Sequence, residues 1–119
     1  MAQKPRIKEI TITEDRGTFS SIFKILSGDK TNFNFKGLAS FKALLSNEKA
    51  RIIHVIKTQN PKSIYEVSKL VNRDFKSVSQ DINLLEEFGL IDLIKENTGK
   101  RVRLKPVAVI DILKVEIVL

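Results

Sequence analysis

The stretch "SVSQDINLLEEFGLI", Ser77 to Ile91, decides how this chain is read. It starts with small polar residues, continues at helical spacing, stops at a glycine and turns apolar. Val78, Ile82, Leu85 and Phe88, with Phe75 just upstream, recur at i, i+3, i+4, i+7 and predict the inner face of a helix. Lys76, Ser77, Ser79, Gln80 and Asn83 fall on the other face. Gly89 supplies the left-handed stop. Asp74, after the turn "NRD", is placed to cap this helix.

Upstream, "SIYEVSKLVN" has Ser63 followed by Glu66 at capping-box spacing, with Ile64, Val67, Leu70 and Val71 as its inner stripe. Before it, "EKARIIHVIKTQ" carries Ile52, Ile53, Val55 and Ile56, is capped by Ser46 or Asn47, and is broken at Asn60-Pro61. Downstream, "LIDLIKENTGKRVRLKP" reads as two strands joined by a glycine-containing loop. Two short helices joined by a tight turn and followed by a hairpin predict a winged helix-turn-helix.

The outer parts are more regular still. "RIKEITIT" alternates, with Lys8, Ile10 and Ile12 against Ile7, Glu9, Thr11 and Thr13, and predicts a strand. In "GTFSSIFKILSGDK", Phe19, Ile22, Phe23 and Leu26 fall at helical spacing and predict an amphipathic helix ending near Gly28. "TNFNF" suits a short extended piece, and Leu38, Phe41 and Leu45 a further helix. "IDILKVEIVL" alternates again, with Leu113, Val115, Ile117 and Leu119 on one face.

The expected class is therefore α+β: a winged helix-turn-helix with an added N-terminal strand and helix and a C-terminal strand. Residues 1–45 form the N-terminal strand and helices, 46–106 the winged core, and 107–119 the last strand, all within one domain.

Composition narrows the function. The chain has 119 residues, 42% hydrophobic and 29% charged, the balance of a globular domain. There is no cysteine, which excludes disulfides and thiolate chemistry. The net charge of +7 favours polyanionic partners, nucleic acid above all. No apolar run reaches the roughly 20 residues of a membrane span, and "MAQKPRIKEI" lacks a signal-peptide core, so a cytoplasmic location is expected.

His54 is the sole histidine and sits among isoleucines, which predicts a partly buried structural role. Asp81 lies near Ser77 and Ser79, but no histidine completes a triad. We expect no enzyme activity, metal or cofactor.

In a helix-turn-helix the second helix enters the major groove, where short polar side chains and amides meet base edges. Gln80 and Asn83 suit adenine, Lys76 suits guanine or phosphate, and Ser77 and Ser79 suit phosphate or bases. Lys95, Lys100, Arg101 and Arg103, with Lys105, make the hairpin basic and suited to phosphate or minor-groove contact. Ser63 and Arg73, with Lys62 and Lys69, are further phosphate candidates. A polar helix face and a basic hairpin are also what ordinary solvated surfaces look like. The acidic side chains Asp74, Asp81, Glu86 and Glu87 count against the helix as a phosphate binder.

The stretch "SIYEVSKLVNRDFKSVSQDINLLEEFGLI" resembles the MarR/ArsR-like winged-helix superfamily. With the flanking "IKEITIT" and "LKVEIVL", most of the chain resembles a group of short prokaryotic DNA-binding proteins and antitoxins. "KPVAVIDI" is longer than the usual link to the last strand. The resemblance implies a sequence-specific repressor of double-stranded DNA, often encoded beside a toxin that it also binds. The alternatives are an autonomous regulator without a toxin, and a protein-interaction module that does not bind DNA. An apolar terminal strand needs a cover, and helix-turn-helix proteins commonly pair. A homodimer is therefore expected through Phe19, Ile22, Phe23, Leu26, Val115 and Ile117; the alternative is that the two terminal strands pair with each other within one chain.

Overall fold

A computed structural model describes the backbone of residues 4–15, 18–25 and 42–119, with side-chain detail for 4–13 and 42–119. The chain is mixed α+β and divides into two compact units, residues 45–109 and residues 1–44 with 110–119.

The 45–109 unit holds three helices and a hairpin. Helix α1 (Asn47–Gln59) starts where Ser46 Oγ accepts the Lys49 amide at 3.2 Å, and ends at Asn60, whose φ is 49°. Helix α2 (Ile64–Val71) starts at Ser63, whose Oγ accepts the Glu66 amide at 3.1 Å. The Glu66 carboxylate reaches back to the Lys62 amide at 3.0 Å, one residue beyond the cap. Both arms of the box thus satisfy orphan N–H groups at the helix entrance.

Asn72 (φ 57°) ends α2, and after Arg73 and Asp74 helix α3 (Phe75–Glu87) begins, capped by Asp74 through the Ser77 amide at 2.9 Å. Gly89 (φ 74°) ends α3 in a left-handed turn, with Leu90 N donating to Leu85 O at 2.9 Å. An L side chain at that φ would be strained, which explains the glycine.

Strands β3 (Ile91–Asn97) and β4 (Val102–Ala108) pair antiparallel, from Ile91 opposite Ala108 to Asn97 opposite Val102. The core of the unit is Ile52, Val55, Ile56, Val67, Val71, Val78, Ile82, Leu85, Phe88, Leu90 and Ile91, all buried. Four positions differ from expectation, the first being Leu45, which lies just past helical residues 42–44 and is 57% exposed. Phe75 is 52% exposed, because the first residue of α3 sits at the rim of the buried arc. Leu70 sits at the edge of α2's buried arc, which Val67 and Val71 occupy, and is partly exposed. His54 is exposed, lying on the side of α1 away from Ile52, Val55 and Ile56.

The other unit contains a three-stranded sheet in the order Thr18–Ile25 (β2), Ile7–Asp15 (β1), Ile112–Val118 (β5). Strand β1 (Ile7–Asp15) is central and buries Lys8, Ile10 and Ile12 on one face, the alternation its sequence predicts. Residues Thr18–Ile25, expected to be helical, are strand β2, antiparallel to β1 from Lys8 opposite Ile25 to Asp15 opposite Thr18. The reason is compositional and tertiary. Thr18, Phe19, Ile22, Phe23 and Ile25 are β-branched or aromatic, and β1 offers a full edge of backbone partners. Helical spacing of four apolar residues does not outweigh that. Leu26, Gly28, "TNFNF", Leu38 and Phe41 lie outside the described residues, as do the side chains of Phe19, Ile22 and Phe23. Residues 42–44, within the further helix, are helical.

Strand β5 (Ile112–Val118) pairs parallel to β1 within the same chain, from Ile7 opposite Ile112 to Thr13 opposite Val118. Asp111 fixes the start of this register. Its carboxylate accepts the Arg6 amide at 2.9 Å and the Arg6 guanidinium at 3.3 Å.

Candidate nucleic-acid interface

Helix α3 buries Val78, Ile82 and Leu85, so its opposite face is fixed by 100° per residue geometry. Lys76, Gln80 and Asn83 form a ridge there at i, i+4, i+7, all exposed. Ser77 and Ser79 do not join it; each lies half-buried on a flank. Of the five candidate reading residues, three stand together on the crest.

The two aspartates nearest the ridge, Asp74 at the cap and Asp81 within α3, are otherwise engaged. Asp74 is the cap, and its carboxyl is held below the ordinary aspartate range first by the Ser77 backbone amide and then by the Ser77 side chain. A lowered folded-state value means that the cap contributes stability above the ordinary range and loses it as pH falls through the lowered value. Asp74→Asn keeps a capping oxygen without the charge, so its acid melting curve should lack that component.

Asp81 is held by two cations. Arg73 Nη1 lies 2.7 Å from Oδ2, and Lys49 Nζ lies 3.5 Å from Oδ1. Lys49 is only 9% exposed and also donates to Ser46 Oγ at 3.4 Å. The cluster ties α1, the α2–α3 turn and α3 together. The Asp81 partnership holds the Arg73 guanidinium above its ordinary range. Arg73, expected as a phosphate contact, is therefore first an internal clamp. Sequence reasoning missed Lys49, because a partner 32 positions away (81 − 49) leaves no local pattern. What remains acidic on α3 is Glu86 and Glu87, in its last turn.

Beside the clamp, Asn47, Glu48, Arg51, Val71, Asn72 and Arg73 line an open depression of about 420 Å³. Arg51 is exposed there and was not among the sequence candidates. Ser63 marks the N-terminus of α2, and Lys69 Nζ sits 4.8 Å over the Tyr65 ring.

The β3–β4 hairpin distributes its cations over two faces and a tip. Ile91, Leu93, Pro106 and Ala108 share the inner face, which Lys95 continues outward opposite Leu104. Arg103 lies across from Glu96, and Lys105 across from Ile94, on the other face. Lys100 and Arg101 are exposed in the loop, which closes through Thr98 N to Arg101 O at 2.9 Å. Gly99, with φ 87°, makes that closure possible and accounts for the glycine in "ENTGK". The five cations are thus a basic tip with two basic flanks.

A family model described as HVO_A0114 matches residues 44–112, which is 69 of the 119 residues and takes in α1, α2, α3 and the hairpin. The chain belongs to the HVO_A0114 family. No curated protein matches it. The HVO_A0114 match therefore covers every candidate DNA-contact residue, from Ser63 to Lys105, together with the Lys49 clamp, and leaves out the candidate dimer residues Phe19, Ile22, Phe23, Leu26, Val115 and Ile117. Among the described residues of this HVO_A0114 member, no helix is long and apolar enough to cross a membrane, and no three His, Cys, Asp or Glu side chains are grouped to hold a metal ion.

Proposed function

We propose that residues 45–109 are a winged helix-turn-helix that reads double-stranded DNA, with α3 in the major groove and the β3–β4 hairpin as a wing on the backbone. The observation that carries this reading is the exposed ridge of Lys76, Gln80 and Asn83, beside which Asp74 is used as the cap and Asp81 is clamped, so that the remaining acidic side chains of α3, Glu86 and Glu87, lie in its last turn, past Asn83. From Lys76 to Asn83 the ridge rises about 10 Å along the helix, at about 1.5 Å per residue. Base steps recur at about 3.4 Å, so three of them fit that length. The Gln80 and Asn83 amides offer the paired donor and acceptor that adenine requires, and Lys76 a donor for guanine or phosphate. The net charge of +7 and the resemblance to MarR/ArsR-like proteins support the same reading. The role that follows is a cytoplasmic transcriptional repressor, of the antitoxin type that controls its own two-gene module.

A gel shift with the DNA upstream of its own gene tests the reading; failure to prefer that fragment over random duplex sinks it. Gln80→Ala should lower affinity for the specific site by about 1–3 kcal/mol and leave random duplex nearly unaffected. Equal weakening on both would remove Gln80 from the readers. Arg101→Ala and Arg103→Ala should weaken binding to every sequence, each flattening the log–log salt slope by about one unit. Arg103 faces Glu96, so its effect should be the smaller of the two.

A second reading, contact with a partner protein such as a toxin, is favoured by the exposed rings of Tyr65 and Phe75. Co-purification with the product of the adjacent gene, lost in Tyr65→Ala or Phe75→Ala while DNA binding persists, would support it.

A further inference from the structure

Strand β5 lies at an edge of its sheet, and it is the wrong kind of strand to leave open. Ile112, Val115, Ile117 and Val118 are each at least 40% exposed, and among the described residues nothing pairs with its outer side. An apolar edge with free N–H and C=O groups is a template for another strand.

The sequence of β5 is specific about which strand. Ile112 N donates to Arg6 O at 3.1 Å, so the even-numbered backbone groups point at β1. By the two-residue period, those of Leu113, Val115 and Ile117 point out of the sheet. Residues 112–118 are centred on Val115, with Lys114 on one side and Glu116 on the other.

We propose that β5 pairs antiparallel with β5 of a second copy of this chain, with Val115 on the two-fold axis. The outward groups then meet in three hydrogen-bonded pairs: Val115 with Val115, Leu113 with Ile117, and Ile117 with Leu113. On the opposite face Lys114 stands across from Glu116 twice, and Ile112 across from Val118 twice. Opposite charges directly across an antiparallel pair are favourable, and like charges are not. The neighbouring registers fail on that count. A two-fold at Lys114 places lysine against lysine, and one at Glu116 places glutamate against glutamate. A two-fold at Leu113 or Ile117 pairs only three residues of each strand. The result is a continuous six-stranded sheet, β2-β1-β5 joined to β5-β1-β2. Leu113, Val115 and Ile117, in register with Lys8, Ile10 and Ile12, extend one face across the axis. A C2 contact of this kind is self-complementary by construction. The inference uses the sheet alone and stands whether or not the chain binds DNA.

Sedimentation of the full chain at micromolar concentration should give twice the 13.5 kDa chain mass. Lys114→Glu and Glu116→Lys should each weaken the dimer about tenfold or more, since each sets two like-charged pairs across the axis. Mixing the two variants should restore dimers, because each acidic row then meets a basic one. This rescue separates lost pairing from lost folding. The chain has no cysteine, so Val115→Cys reports on the axis directly. It should cross-link to itself on oxidation, at a Cα spacing of about 5.5 Å. Leu113→Cys, roughly 13 Å from its symmetry mate, should not. A monomeric wild type, a dimer indifferent to both charge reversals, or cross-linking at 113 in preference to 115 would each overturn the proposal.

Discussion

Val78→Asp should unfold the 45–109 unit or leave it barely folded. Val78 is 0% exposed on the inner face of α3, and an aspartate there would have no partner. A buried unpaired charge costs about 3–5 kcal/mol. A unit of this size is stable by about 3–10 kcal/mol at ordinary values per residue, so the cost is comparable with the whole. Gln80→Asp, which adds the same charge on the exposed crest, should change stability by no more than about 0.5 kcal/mol. Thermal melts followed by circular dichroism compare the two. If Val78→Asp melts like the wild type, α3 is turned the other way and the ridge of Lys76, Gln80 and Asn83 goes with it.

The second large effect is at the clamp. Asp81→Ala leaves Lys49 buried with only Ser46 Oγ nearby, and frees Arg73. Full burial would put the loss at the upper end for a broken ion pair. The Arg73 side chain is 29% exposed and can turn to water, so roughly 2–3 kcal/mol is expected. Adding Lys49→Met should recover much of the loss, because it removes the stranded charge while keeping the volume. Chemical denaturation of the single and double variants gives the coupling. Additive effects would mean that Lys49 and Asp81 do not act as a pair. Below its melting point, Asp81→Ala should bind random duplex more tightly than the wild type, since the face beside the ridge loses a negative charge and gains a free arginine.

Helices α1, α2 and α3 and the hairpin were legible from the sequence because their signals are local. Ser46, Ser63 and Asp74 cap within three residues, Gly89 and Gly99 mark positive φ, and the apolar stripes repeat every turn. Segment Thr18–Ile25 was not legible in the same way. Phe19, Ile22 and Phe23, with Leu26 just beyond, satisfy a helical template, and what makes the segment a strand is its pairing with β1. At the site, the crest of α3 was legible from periodicity. The clamp was not, because Lys49, Arg73 and Asp81 come from three separate segments. Phe75 and Leu70 match their stripes yet lie exposed, because a stripe specifies an arc, not where the arc ends.

The most direct test of the central claim is to follow backbone amide resonances of the full chain while adding duplex DNA from the region upstream of its gene. Saturable shifts are expected at residues 76–83 of α3 and 98–103 of the hairpin, reduced by added salt, with β1 and β5 little changed. Shifts confined to other residues, or none at stoichiometric duplex in moderate salt, would contradict it.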